Sequence, residues 1–224
     1  MSKTRAVVFD AYGTLLDVHA AMARHAGRLG ANWQDISAVW RRKQLEYSWV
    51  RSLTGPEAHR DFWHLTKDAL AWTAARHGIS DTALLNDVLD AYRVLQPFDE
   101  VPEVLRRIQA MGLPRAILSN GTEAMLADAV ASAKIDHLLD FVMSIDTVGV
   151  FKPDPRVYHM AETTLGYPAS QIAFVSSNAW DAFGARSFGF QVYWVNRAGD
   201  PPEYGSEGGI TELLKLTALP DLLS

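Results

Sequence analysis

The chain has 224 residues, 48% of them apolar and 21% charged; these values suit one or two folded domains and exclude a disordered or fibrous protein. Its 21 Lys and Arg against 26 Asp and Glu give a net charge of −5, which argues against a general nucleic-acid binder. No apolar stretch approaches the ~18 residues of a membrane span, the start shows no signal-peptide layout, and the lack of any cysteine excludes disulfides and thiolate metal sites, so a reducing cytoplasm is the default home.

The first element is the run RAVVFD (5–10), β-branched and aromatic, followed at once by AYGT; it predicts a buried strand ending in a turn. From about 18 to 95 the pattern is helical: 18–30, 35–53, a segment around 57–77, and 80–95. Trp40, Leu45 and Trp49 recur at roughly helical spacing, and Ser80 and Asp81 offer an N-cap. After Pro97 helix and strand alternate: helix 100–111, strand 114–121, helix 122–133, strand 141–145, a helix after KPDP (152–155), strand 172–177, helix 178–188, strand 190–195 and a last helix from about 210. GDPPEYGSEGG (199–209) reads as a surface loop. Strands separated by single helices predict parallel βαβ units. The expected fold is α/β, a Rossmann-like parallel-sheet core of residues 1–15 and 97–224 with an all-helical insert over 16–96.

In an open parallel sheet, ligands bind at the carboxyl ends of the strands. The first strand delivers Asp10, Tyr12, Gly13 and Thr14; the second Ser119 and Asn120; the third connection Lys152; the fourth strand Ser176, Ser177, Asn178 and then Asp181. Two carboxylates, an ammonium, hydroxyls and amides thus converge from four strand ends. Singly they admit plainer readings: Asp10 as a turn-capping carboxylate, Ser176–Asn178 as a helix cap, Arg41 as a solvated helix charge.

FDAYGTLLDV, WRRKQLEYSW, LSNG, FKPDPRVY and VSSNAWDA together resemble the haloacid dehalogenase superfamily, and closely its (S)-2-haloacid dehalogenases, over residues 5 to about 197. The resemblance implies a helical cap and a cycle without cofactor or metal. Asp10 attacks C2 of a 2-haloalkanoic acid, displacing halide with inversion, and water then hydrolyses the ester. A carboxylate with a reference pKa of about 3.9 is ionised at neutral pH, and Lys152 would hold it so. Arg41, Asn120 and Trp180 would cradle the halide. Ser119 and the amides of Ala11, Tyr12 and Asn120 would hold the substrate carboxylate. Asp181, with Thr14, Ser176, Asn178 and Tyr158, would orient and activate the water, while Leu45 and Phe62 would wall the alkyl group. The expected partners are a small 2-haloacid, water, halide and a second copy of the chain.

Two other readings stand beside this one. Phosphatases of the superfamily resemble DxD at the first motif, whose second Asp protonates the leaving oxygen; here that residue is Tyr12, with a phenol of pKa about 10. Their acidic fourth motif holds Mg²⁺, whereas this chain has SSNAW followed by Asp181 alone. A scaffold that binds small carboxylates without turnover is the third reading. The seven histidines fall outside the strand-end set and read as surface or packing residues. Trp40, Trp49, Trp63 and Trp72 read as core or interface. One departure is Arg42, where close relatives carry Gln: it widens anion attraction, alters size preference, or sits in solvent.

Overall fold

The computed structural model describes residues 3–205 and 208–223; Ser206 and Glu207 of the 199–209 loop lie outside the described residues. Six strands form one sheet, β1 (Ala6–Phe9), β2 (Arg115–Ser119), β3 (Phe141–Ser144), β4 (Ile172–Ser176), β5 (Gln191–Val195) and β6 (Ile210–Leu213), in the order β3-β2-β1-β4-β5-β6. Every neighbouring pair is parallel. β1, β2 and β4 are buried along their whole length, as a sheet covered on both faces requires, and their sequences are accordingly apolar runs rather than alternations. The chain builds outward from β1 to β3, then restarts on the other side with β4. The strand order therefore reverses between β1 and β4, where a crevice opens at the carboxyl ends.

Between β1 and β2 lie α1 (Ala20–Ala23), α2 (Ala26–Leu29), α3 (Trp33–Leu53), α4 (Phe62–Arg76), α5 (Thr82–Arg93) and α6 (Val101–Ala110). The excursion starts and ends at one point. Asp17 N–H donates to Gln96 O at 3.0 Å and Phe98 N–H to Leu15 O at 3.0 Å, so α1–α5 hang from a two-chain neck. Asp81 caps α5, its side chain accepting from Leu84 N–H, as the sequence pattern predicts. Beyond β2 follow α7 (Glu123–Ser132), α8 (Pro155–Leu165), α9 (Ala179–Phe188) and α10 (Leu219–Leu222). No helix among the described residues is long and apolar enough to cross a membrane.

Two sequence expectations are corrected. The helix over 18–30 is broken at His25, whose backbone leaves helical geometry. Only Ala21 and Met22 of the first piece are buried and none of the second, so no continuous apolar stripe holds one long helix down. The last helix from about 210 is instead the strand β6, which pairs with β5 from Val192↔Ile210 to Val195↔Leu213. Ile210 and Thr211 are β-branched and take up the free edge of β5; helix resumes only at α10.

Candidate active site

Asp10 is the first residue past β1. Its N–H donates to Val175 O at 2.9 Å, which fixes the end of β1 against β4. The chain then turns tightly: Leu15 and Leu16 N–H both donate to Ala11 O, and Gly13 N–H donates to Leu16 O at 2.7 Å. Gly13 takes φ +91° there, with space for a Cβ only 3.2 Å from Ser177 Oγ, so glycine suits it twice over. The turn leaves the buried Asp10 carboxylate facing the crevice with each oxygen engaged. Oδ1 accepts from Lys152 Nζ at 3.0 Å, and Oδ2 from Thr14 Oγ1 at 3.1 Å and Asn178 Nδ2 at 2.9 Å.

Lys152 is 1% exposed and bridges two carboxylates, reaching Asp181 Oδ2 at 2.8 Å as well as Asp10. Burial alone would push the ammonium toward its neutral form, but Asp10 and Asp181 more than offset this and raise its pKa above 10.5. Asp181 is fully buried in the first turn of α9. Burial, with the nearby Asp10 charge, raises its pKa above the ordinary 3.8 against the pull of Lys152. Its other oxygen, Oδ1, accepts from Tyr158 OH at 2.8 Å. Burial first, and then the Asp181 charge, hold that phenol well above its usual pKa, so it stays a donor. Asp10, Lys152, Asp181 and Tyr158 thus form one buried chain.

Asn178 occupies the N-cap position of α9 but makes no side-chain cap; its amide serves Asp10 instead. Of the two readings of the Ser176–Asn178 run, the capping one fails for Asn178. Ser176 Oγ accepts from Asn178 N–H at 3.1 Å and Ser119 Oγ from Gly121 N–H at 3.2 Å, so both buried serines shape the loops they stand on. Asn120 Oδ1 accepts from Lys152 N–H at 2.9 Å, tying the second strand end to the third connection.

Above these strand ends sits a small cavity lined by Asp10, Tyr12, Arg41, Leu45, Phe62, Ser119, Asn120 and Trp180. Arg41 and Leu45 are four apart on α3, hence on one face; Phe62 opens α4, whose N-cap Asp61 accepts from His64 N–H. Arg41 Nη2 donates to Tyr12 O at 3.3 Å, joining the helical layer to the strand-end turn. Ala11 is buried in that turn and does not line the cavity. Arg42 is exposed and absent from the lining. Trp40 is buried, Trp49 packs edge-on to Trp180, and Trp72 stays 38% exposed. His59 stacks on Phe151, and His64 pairs with Asp61. Among the described residues no group of three or more His, Asp or Glu gathers in metal-binding reach.

Sequence reasoning passed over Gly184. It lies on α9 against Tyr158, where a Cβ would come 2.5 Å from the phenol oxygen and 2.6 Å from Pro153 Cβ. Nothing in one sequence distinguishes such a glycine from a merely tolerated one. Gly184→Ala should gain helix propensity of about 1 kcal/mol yet lose about 1–3 kcal/mol to overpacking. The expected net is a lower melting temperature and slower turnover; a variant more stable than the parent with full activity would show the contact to be soft.

A parallel sheet whose first strand ends in a buried carboxylate, bridged by a lysine to a second carboxylate past the fourth, beneath a helical layer, defines the haloacid dehalogenase-like hydrolases. The profile of that family matches residues 4–189. (S)-2-haloacid dehalogenase 4A of Burkholderia cepacia is 45% identical over 201 residues, covering 89% of this chain and 86% of that protein. (S)-2-haloacid dehalogenase 1 of Pseudomonas sp. (strain CBS-3) is 43% identical over 224 residues, covering 100% and 98%. A solved structure of L-2-haloacid dehalogenase from Xanthobacter autotrophicus with chloropropionic acid covalently bound superposes with a TM-score of 0.89 at 36% identity, covering 98% of each chain. The chain belongs to the (S)-2-haloacid dehalogenase family.

Proposed function

We propose that the chain hydrolyses (S)-2-haloalkanoic acids to (R)-2-hydroxyalkanoic acids and halide, with residues 16–96 as a cap over a core of 1–15 and 97–224. The observation that carries this reading is the Asp10 carboxylate at one wall of a small cavity with the Arg41 guanidinium at another. A carboxylate oxygen of Asp10 forms a bond to C2 from the face opposite the halogen, and the carbon–halogen bond breaks with its electron pair leaving on the halide. Arg41 meets the developing anion, with Asn120 and Trp180 beside it. Ser119 and the Ala11, Tyr12 and Asn120 amides hold the substrate carboxylate, while Leu45 and Phe62 pack on its alkyl group.

Water then attacks the ester carbonyl of Asp10, losing its proton to Asp181. The acyl–oxygen bond breaks, and the departing alkoxide takes that proton back from Asp181 and leaves as the hydroxy acid with an oxygen that began on Asp10. Asp10 keeps an oxygen from water and loses the second water proton to solvent. Asp181 is suited to accept that proton because burial raises its basicity. Thr14, Ser176, Asn178 and Tyr158 fix the groups around it. No metal is needed: halide departs unprotonated, and the Lys152 ammonium at 3.0 and 2.8 Å from the two carboxylates already supplies the positive charge that Mg²⁺ gives a phosphatase.

The assay is halide release from (S)- and (R)-2-chloropropionate with EDTA present. Release from the (S) acid alone is expected. Silence toward both, with magnesium-dependent phosphate release instead, would sink the reading. The cysteine-free sequence suits a cytoplasmic setting. Val50, Leu53 and Trp72, exposed at 52%, 87% and 38% on α3 and α4, suit burial against a second copy. A solution mass of two chains is the expected result, and a monomer at micromolar concentration would count against it.

A further inference from the structure

The interior of the helical layer holds more polar atoms than its packing needs. Gln44 and Tyr92 are each 1% exposed, in positions that Leu and Phe would fill at less desolvation cost. Gln44 Nε2 donates to Thr66 Oγ1 at 2.9 Å, and Thr66 Oγ1 donates to Phe62 O at 2.8 Å. Gln44 stands three residues after Arg41 on α3, on the same face. Tyr92 comes from α5, its ring stacked on Tyr12 at 5.6 Å and 6° and tilted against Trp40 at 5.0 Å.

Three buried atoms in this neighbourhood lack an aligned hydrogen-bond partner: Arg41 Nη1, Gln44 Oε1 and Tyr92 OH. They are a donor, an acceptor and a group that is both. The Tyr92 phenol interacts with both the Gln44 amide and the Arg41 guanidinium. Burial raises its pKa, so it keeps its proton. One ordering satisfies all three: Arg41 Nη1 donates to Tyr92 O, and Tyr92 O–H donates to Gln44 Oε1, on the amide whose Nε2 is anchored by Thr66.

We propose that Tyr92 and Gln44 are positioning residues for Arg41, closing a Thr66–Gln44–Tyr92–Arg41 chain that fixes the guanidinium plane against the leaving halogen. This rests on the reading of Arg41 as the halide acceptor. The stack on Tyr12 links the same chain to the strand-end turn, so one aromatic ring sets the guanidinium relative to the Asp10 turn. Neither residue lines the cavity; both act through Arg41.

The test is single-turnover ester formation and ester hydrolysis, followed separately, with (S)-2-chloropropionate and (S)-2-bromopropionate. Tyr92→Phe keeps the ring and its stacking. Chloride is the poorer leaving group and depends more on Arg41. Ester formation from the chloro acid should therefore slow on the order of tenfold in Tyr92→Phe, which adds about 1.4 kcal/mol to that barrier, and from the bromo acid markedly less. Ester hydrolysis and substrate affinity should hold. Gln44→Met should reproduce the pattern, and the double variant should be no worse than either single one, because one chain is broken once. Equal slowing with both halogens, or additive losses, would mean a structural role only and overturn the proposal. Wild-type protein that releases no halide overturns the dehalogenase reading and this proposal with it, whereas wild-type release with an unaltered Tyr92→Phe overturns the proposal alone.

Discussion

Asp10→Asn should lower halide release from (S)-2-chloropropionate by roughly 10⁶-fold, as loss of a hydrolase nucleophile does, while the protein stays folded. The amide matches the carboxylate in shape but carries no charge and attacks C2 poorly. It also fits its surroundings worse. Whichever way it is turned, its NH₂ faces a donor, either the Lys152 ammonium or Thr14 Oγ1 and Asn178 Nδ2, which now meet at Oδ2. One mismatched buried contact costs about 1–3 kcal/mol, within what a domain of this size tolerates. Halide release together with a melting curve separates the two effects; normal release from a verified Asp10→Asn protein would exclude the aspartyl ester. In the wild type, a single turnover in ¹⁸O-water should put label into Asp10, and label appearing at once in the hydroxy acid would mean direct attack by water.

Lys152→Met is the second large effect, on stability as well as rate. The ammonium is the shared partner of two buried carboxylates. Removing one member of such a group costs about 3–5 kcal/mol, at about 2–4 °C of melting temperature per kcal/mol for a chain of this length. Asp181 would lose the larger of the influences that lower its pKa, keeping the Tyr158 hydrogen bond, against burial and Asp10, which raise it. The acid limb of the rate profile should then move to higher pH, because the proposed hydrolysis step needs Asp181 ionised. Converting Asp181 to Asn in the same chain should return part of the lost stability, since it removes one of the stranded charges. In the wild type, the stability due to Lys152 is complete below 10.5 and is lost as pH rises through its raised folded pKa. A Lys152→Met protein as stable as its parent would show that the pair contributes nothing net.

The strand-end groups are legible because each follows an apolar run directly: Asp10 after AVVF, Ser119 at the end of RAIL, Ser176 after IAFV. In a parallel sheet those ends share one edge, so adjacency in sequence to a strand becomes adjacency in space. Arg41 is not legible in this way. A charge on a long helix reads as solvated, and the resemblance alone singles it out; Arg42, its neighbour, is the solvated one. Gln44 and Tyr92 give no signal, since burial of a polar side chain is a property of the packed layer and not of its own local pattern. β6 escapes a local reading because four residues are too few for periodicity to separate strand from helix, and only the open edge of β5 decides the matter.

The cavity has a consequence for the tempo of the enzyme. Its walls come from α3 and α4 on one side and from the strand ends on the other, so the reaction vessel exists only while the two are together. The chain crosses from one side to the other at the neck of Asp17–Gln96 and Leu15–Phe98, so any change in the separation of the two sides would be taken up there. Where opening and closing gate an enzyme's cycle, they and not the chemistry set the ceiling on its rate, and the better the carbon–halogen step becomes, the more the speed is that of a door.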